Sequence, residues 1–219
     1  MRATLRRRLT YHQEQYRMSS DERDGAPEDD PLAWFLSAFE RARLSETFDA
    51  SRAALATTSA HGRPSVRFVL VKQVDEQGFV FFTNFDSRKA RELTENPQAA
   101  LAFHWASIGE QWRVEGVVAR VSDAESDAYF ATRPRGSQLG TWASAQSAPI
   151  ARRSLLAVKL AEVTERFRSL PSVPRPANWG GFRIVPSLIE VWYDREDRLH
   201  DRHCFTRESE GWMRRRLQP

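Results

Sequence analysis

Cysteine is nearly absent: Cys204 is the only one in 219 residues. A single thiol excludes a disulfide framework and a thiolate-rich metal site. No apolar run approaches the roughly 20 residues needed to cross a bilayer. The basic start, MRATLRRRLTYHQEQYR, lacks the apolar stretch of a signal peptide. A cytoplasmic protein without membrane contact is therefore expected. Concentrated charge of one sign is missing as well. There are 33 basic and 29 acidic residues, a net +4, and each cationic patch is followed by acids. Nucleic-acid binders gather their excess charge on one face or segment, so no nucleic-acid partner is expected, and small anionic ligands suit the pattern better. GxGxxG and P-loop motifs, GxSxG elbows and HExxH helices are also absent. A cofactor other than a Rossmann-held dinucleotide is the better expectation.

What is present is ordinary soluble composition, 41% hydrophobic and 28% charged, with seven tryptophans. Several of these stand beside charged residues, which hints at an aromatic-lined pocket. Residues 1–29 read as a mobile arm: a basic start, then the acidic SSDERDGAPEDD broken by Gly25 and Pro27. Residues 30–219 form the main domain. Asp30 is a plausible N-cap with Pro31 at the first helical position, and Leu32, Phe35, Phe39 and Leu44 fall near one helical stripe. The period then changes to two. AALATTSA, SVRFVLVKQV, GFVFFTN, AALAFHWAS and EQWRVEGVVARVS read as strands joined by short turns, with a helix over DSRKARELTENP. DAESDAYFATRP is expected to be a helix and RGSQLGTWASAQSA a loop. Leu156, Leu160, Val163 and Phe167 form a further helical stripe, with Glu162 and Arg166 at i,i+4 spacing. FRIVPSLIEVWYD and RLHDRHCFTR are expected to be the last strands. Meandering strands with inserted helices predict an antiparallel barrel in an α+β domain.

Charge gathers in three places. Arg67 and Lys72 are five apart, so on a regular strand they face opposite ways. Either the strand is bulged or the two cations serve different ligands. Arg88 and Lys89 lie in the first turn of a helix capped by Asp86 or Ser87, where free N–H groups and the helix dipole favour an anion. They either meet an anionic ligand or are solvated surface cations. Tyr129 and Arg133 share a helical face, with Ser137 just beyond Pro134. This is either a second phosphate site or an ordinary helix C-terminus. In RLHDRHCF, Arg198, His200 and Arg202 share one strand face while His203 points away. Cations around the inward histidine argue against a metal, and none is expected. The face suits an anionic or hydride-donating substrate, or is simply solvated. His104, among apolar neighbours, reads as a core or edge histidine.

In order, RFVLVK (67–72), FFTNFDSRKA (81–90), YFATRPRGSQLGTWASAQS (129–147), NWGGFRI (178–184), RLHDR (198–202) and the terminal RRRLQP resemble the pyridoxine (pyridoxamine) 5′-phosphate oxidase family. The resemblance runs from about Asp30 to Pro219 and implies a split antiparallel β-barrel that works as a homodimer with FMN at the interface. It implies FMN contacts at Arg67, Phe68, Val69, Leu70, Val71, Lys72, Phe82 and Thr83, with Arg88 and Lys89 at the phosphate. Gln111, Gln146, Ser147, Trp192 and Arg202 complete that set. Lys72, Tyr129, Arg133 and Ser137 are implied for the substrate phosphate, and Arg198, Leu199 and His200 for the pyridine ring, with Arg198 and His200 as catalytic residues. The implied reaction passes hydride from substrate C4′ to flavin N5. It yields pyridoxal 5′-phosphate, with O2 as acceptor and H2O2 as product. In relatives an Arg-x-x-Tyr element of the arm forms a lid. Arg8 and Tyr11 have that spacing, while Tyr16, with Gln13 in place of arginine, stands nearer the expected distance from Asp30. Two alternatives stay open: a same-fold oxidase of another reduced ring such as a phenazine precursor, and an FMN-binding module without turnover.

Overall fold

The structure, a computed structural model, describes residues 30–219. The expected arm and the lid candidates Arg8, Tyr11 and Tyr16 lie outside the described residues. Helix α1 (Pro31–Ser45) begins as anticipated, with the Asp30 carboxylate accepting from Leu32 N at 2.9 Å and Pro31 in the first turn. Its buried face is Leu32, Trp34, Phe35, Ala38, Phe39 and Ala42. Leu44, expected on that face, is 78% exposed. Five residues beyond Phe39 it has turned about 140° round the helix, and Ala42 takes its place.

Eight strands follow: β1 (Arg52–Thr58), β2 (Pro64–Asp75), β3 (Gly78–Asn84), β4 (Gln98–Trp105), β5 (Glu110–Arg120), β6 (Trp179–Tyr193), β7 (Asp201–Glu208) and β8 (Gly211–Leu217). They form one antiparallel sheet in the order β3-β2-β1-β4-β5-β6-β7-β8, and pairing of β3 with β6 closes six of them into a barrel. The long β6 makes this possible. Its first part pairs with β3 and its last part with β7, while β5 runs along its other edge. The fold is the α+β split barrel anticipated. One end is filled by α1, whose Phe35 ring packs edge-on to Phe79 and Phe103 at 4.9 Å and to Trp112 at 5.4 Å. Each such fully buried ring contributes about 1.5–3 kcal/mol. Along β4, Phe103 and Trp105 point inward and so His104 points out; it is exposed, not a core residue.

Helix α2 (Arg88–Glu95) leaves the end of β3. Helices α3 (Asp123–Ala131), α4 (Arg135–Ala143) and α5 (Ser154–Arg166) fill the connection from β5 to β6. Helix α4 occupies most of the segment expected to be a loop. Two glycines and several small polar residues weaken its helix propensity. Burial of Leu139 and Ala143, one turn apart, and the 2.9 Å bond from the Gln138 amide to Phe130 O override that local preference. Leu139 joins Phe130, Phe167, Val173 and Trp179 in a small second core. The stripe expected on α5 is buried only at its C-terminal end: Phe167 is buried, but Leu156 and Leu160 are exposed. Arg166, expected to pair with Glu162, lies instead over the rings of Trp142 and Phe167 at 4.9 and 5.0 Å.

The strand expected over RLHDRHCFTR starts three residues late. Glu196–Arg198 form a single helical turn, and Asp197 (φ 54°) and Arg198 (φ 62°) are both left-handed, a conformation that no strand accommodates. Arg198, His200 and Arg202 therefore do not share a strand face. The inward histidine is His203, 3% exposed and packed on Trp34. Among the described residues no helix is long and apolar enough to cross a membrane.

Candidate functional site

A cleft of about 520 Å³ opens between β2, β3 and the α3–α4 corner. Two cationic clusters adjoin it. The first is organised by α2. Ser87, one of two expected caps, accepts from Ala90 N, and Arg88 and Lys89 stand in the first turn. The Glu92 carboxylate accepts from Arg88 Nε at 2.8 Å, Arg67 NH2 at 3.1 Å, Ser65 Oγ at 2.6 Å and the Thr57 hydroxyl. Burial alone raises the Glu92 carboxyl, but the bonds from Ser65, Thr57, Arg88 and Arg67 outweigh it and bring it down to about 2. Lys89 differs. It is 8% exposed, and among the described residues its Nζ meets only neutral oxygens: Thr83 Oγ1 at 3.0 Å, Gln146 Oε1 at 3.3 Å and Ser87 Oγ at 3.4 Å. Burial, and then the nearby Arg67 charge, lower its pKa to about 8. Ser147, left-handed at φ 68°, accepts from Arg88 N at 3.3 Å.

The second cluster holds Lys72, Tyr129, Arg133 and Ser137, all lining the cleft. Lys72 Nζ lies 3.6 Å from Asp49 and 3.4 Å from Ser51 Oγ; burial lowers its pKa and Asp49 opposes the shift. Tyr129 stacks on Phe82 at 4.0 Å, and burial raises its phenol. Arg133 NH1 donates to Thr141 Oγ1 at 2.7 Å, and its guanidinium sits 4.8 Å from the centre of the Trp179 ring. Among the described residues no carboxylate pairs with Arg133 or Lys89. The first alternative for β2 holds: its register shifts between Val71 and Gln73, and Arg67 and Lys72 reach different carboxylates, Glu92 and Asp49. On the same strand Phe68 and Leu70 present open apolar surface beside the cleft, Val69 packs against the core, and the Val71 side chain lies within it.

The remaining candidates gather elsewhere. Gln111, Trp192 and Arg202 are neighbours across β5, β6 and β7. The His200 ring lies 4.4 Å from Trp192, and Arg202 Nε donates to the buried Glu190 at 2.9 Å. His200 Nδ1 lies 3.2 Å from Arg195 N and 3.3 Å from Asp194 Oδ1, so both contacts engage the same ring nitrogen. Arg198 and Leu199 are exposed in the adjoining turn. None of these six lines the cleft of the same chain.

Sequence reasoning missed Glu92, Asp49, Thr141 and Trp179. The i,i+4 spacing of Arg88 and Glu92 was a usable signal. Asp49, Thr141 and Trp179 come from separate elements and carried none.

A family model described as Pyridoxamine 5′-phosphate oxidase matches residues 14–167, and one described as Pyridoxine 5′-phosphate oxidase C-terminal dimerisation region matches 179–219. The chain belongs to the pyridoxamine 5′-phosphate oxidase family. It is accordingly an oxidoreductase. Relatives named pyridoxine/pyridoxamine 5′-phosphate oxidase include one from Rubrobacter xylanophilus, 50% identical over 98% of each chain. Another from Myxococcus xanthus is 51% identical over 87% of this chain and 92% of the relative. Among solved structures, PhzG from Burkholderia lata, in complex with tetrahydrophenazine-1-carboxylic acid, is 29% identical, with a TM-score of 0.85 over 93% of this chain and 98% of that one. A pyridoxamine 5′-phosphate oxidase-related, FMN binding protein from Nostoc punctiforme, at 19% identity and a TM-score of 0.69, shares the fold.

Proposed function

We propose that the chain is an FMN-dependent oxidase that converts pyridoxamine or pyridoxine 5′-phosphate to pyridoxal 5′-phosphate. The observation that carries this reading is the pair of cationic clusters flanking one cleft, Arg67–Arg88–Lys89 and Lys72–Tyr129–Arg133–Ser137. A flavin phosphate and a substrate phosphate need two such places. The residues fit FMN on their own chemistry. A buried ammonium held only by neutral oxygens, as at Lys89, matches an absent anion. The exposed apolar faces of Phe68 and Leu70 offer a wall for a ring. Bound FMN would supply a hydride acceptor for the substrate C4′ carbon, with dioxygen as final electron acceptor and hydrogen peroxide as product; for the amine substrate, water would be added and ammonia lost to give the aldehyde.

The protein's own part is positioning and electrostatics. Lys72, Arg133, Tyr129 and Ser137 hold the substrate phosphate, by charge and by hydroxyl donation. Arg198 orients the ring and stabilises charge developing on it. His200 hydrogen-bonds the substrate through Nε2. We assign Gln111, Trp192, Arg198, His200 and Arg202 to the cleft of a second copy in a homodimer. Support comes from their separation from the cleft of their own chain and from the dimerisation-region match, which spans the last four of them.

An oxidase of a reduced ring without phosphate, like the ligand named for PhzG, has the structural likeness in its favour. It leaves the Lys72–Arg133 cluster without a purpose. An absorbance spectrum of the purified protein, followed by turnover of pyridoxine 5′-phosphate in air, tests the reading. A yellow protein that forms aldehyde and peroxide is expected, with Arg198→Ala losing at least about a hundredfold in kcat/KM. A yellow protein inert toward both phosphorylated substrates transfers the assignment to the phosphate-free class, and failure to bind FMN ends it.

A further inference from the structure

Most cations at the two clusters are held by carboxylates. Arg67 and Arg88 share Glu92 at 3.1 and 2.8 Å, and Lys72 faces Asp49 at 3.6 Å. A carboxylate fixes a cation but cancels its charge. Arg133 is fixed differently, by one hydroxyl and by ring faces: Trp179 at 4.8 Å and Phe130 at 5.5 Å. An aromatic face attracts a guanidinium through its quadrupole and leaves the net charge intact.

The Trp179 ring is itself firmly placed. Its carbonyl accepts from Arg175 NH1 at 2.6 Å, and Arg175 also binds Asp123 and Asp127 of α3, at 2.7 and 2.6 Å. Arg175 therefore ties the Trp179 backbone to the helix that leads to Arg133. It lies nearly parallel to Phe82, at 5.5 Å and 14°, and Phe82 stacks in turn on Tyr129. The two glycines that follow are closely approached by neighbouring side chains, Gly181 by Phe82 itself. A Cβ on Gly180 would sit 2.6 Å from the Phe85 ring, and one on Gly181 would sit 2.6 Å from Val121 and 2.9 Å from Phe82.

We infer that Trp179 is a positioning residue for the substrate phosphate: it holds the Arg133 guanidinium in place while leaving its charge free for the anion. This rests on the function proposed above. The alternative role for a ring 6% exposed is core filling, and the two roles separate in an experiment.

The FMN-loaded enzyme and its Trp179→Phe, Trp179→Leu, Arg133→Ala and double variants are assayed with pyridoxamine 5′-phosphate and with pyridoxamine. FMN affinity is followed by flavin fluorescence. Trp179→Leu is expected to raise KM for the phosphorylated substrate about tenfold (~1.4 kcal/mol), and Trp179→Phe about threefold, with kcat nearly unchanged. The kcat/KM for pyridoxamine and the FMN affinity are expected to hold within about twofold. In the Arg133→Ala background, loss of the Trp179 ring is expected to add nothing, because the effect passes through Arg133. Should Trp179→Leu fail to fold, Trp179→Phe carries the same cycle. Equal losses on both substrates, a parallel loss of FMN, or full additivity with Arg133→Ala overturns the inference and leaves the oxidase reading standing. A wild-type enzyme with no preference for the phosphorylated substrate overturns both.

Discussion

Replacing Glu92 with Gln keeps the length and shape of the side chain and removes the charge shared by Arg67 and Arg88. In the folded chain the Glu92 carboxyl sits near 2, against a reference of 4.5, because burial is outweighed by bonds from Ser65, Thr57, Arg88 and Arg67. A shift of that size corresponds to about 3 kcal/mol of stability. Arg88 is 62% exposed and Arg67 21%, so solvent screens part of the attraction, and about 2–3 kcal/mol is the expected loss at pH 7. The sign follows from the lowered folded pKa. The contribution is fully present above the unfolded value near 4.5 and is lost as pH falls toward 2. By pH 3 about 2 kcal/mol of it is gone, so wild type and variant converge. Urea unfolding of the cofactor-free protein at pH 7, 5, 4 and 3, with FMN left out because its binding adds stability of its own, measures both curves. A gap between them that stays constant from pH 7 to pH 3 refutes the ionic account of Glu92 and leaves only a packing role.

Lys89 must be charged to hold a phosphate, and its pKa near 8 places the loss of that charge within reach. FMN affinity is expected to fall about fivefold between pH 8 and pH 9 more than in Lys89→Met, whose fluorescence titration should lack that step. Gly181→Ala forces a Cβ to within 2.6 Å of Val121 and is expected to cost about 1–3 kcal/mol in a denaturant melt; an unchanged midpoint contradicts the close approach of β6 to Phe82. Leu139→Ala, in a segment that reads locally as a loop, is expected to cost about 2–3 kcal/mol because Leu139 belongs to the second core, whereas a loop residue would change little.

Local patterns carried the barrel strands well. GFVFFTN matches β3 from first residue to last, and period-two alternation found β1, β2, β4 and β5 to within two or three residues. The cap at Asp30 was legible because capping is a contact between near neighbours. The errors have one kind of cause. Helix α4 owes its existence to burial of Leu139 against Phe130 and Trp179, which come from other parts of the chain. The apolar face of α5 is a correct periodicity that the described chain leaves largely uncovered. The strand through RLHDR was cut short by two consecutive left-handed residues that its alternation could not reveal.

The candidate site divides along the same line. Most candidate residues were visible in short motifs, because pairs such as Arg88–Lys89 and Tyr129–Arg133 keep their groups on adjacent or i,i+4 positions of one element. Chain composition alone also decided against disulfides and thiolate metal sites. Only the tertiary structure decided what holds each cation among the described residues: Glu92 for Arg67 and Arg88, Asp49 for Lys72, Thr141 and the Trp179 ring for Arg133, and neutral oxygens for Lys89. Those pairings join residues up to 57 positions apart, through barrel closure and helix docking, and electrostatic interaction depends on distance in space.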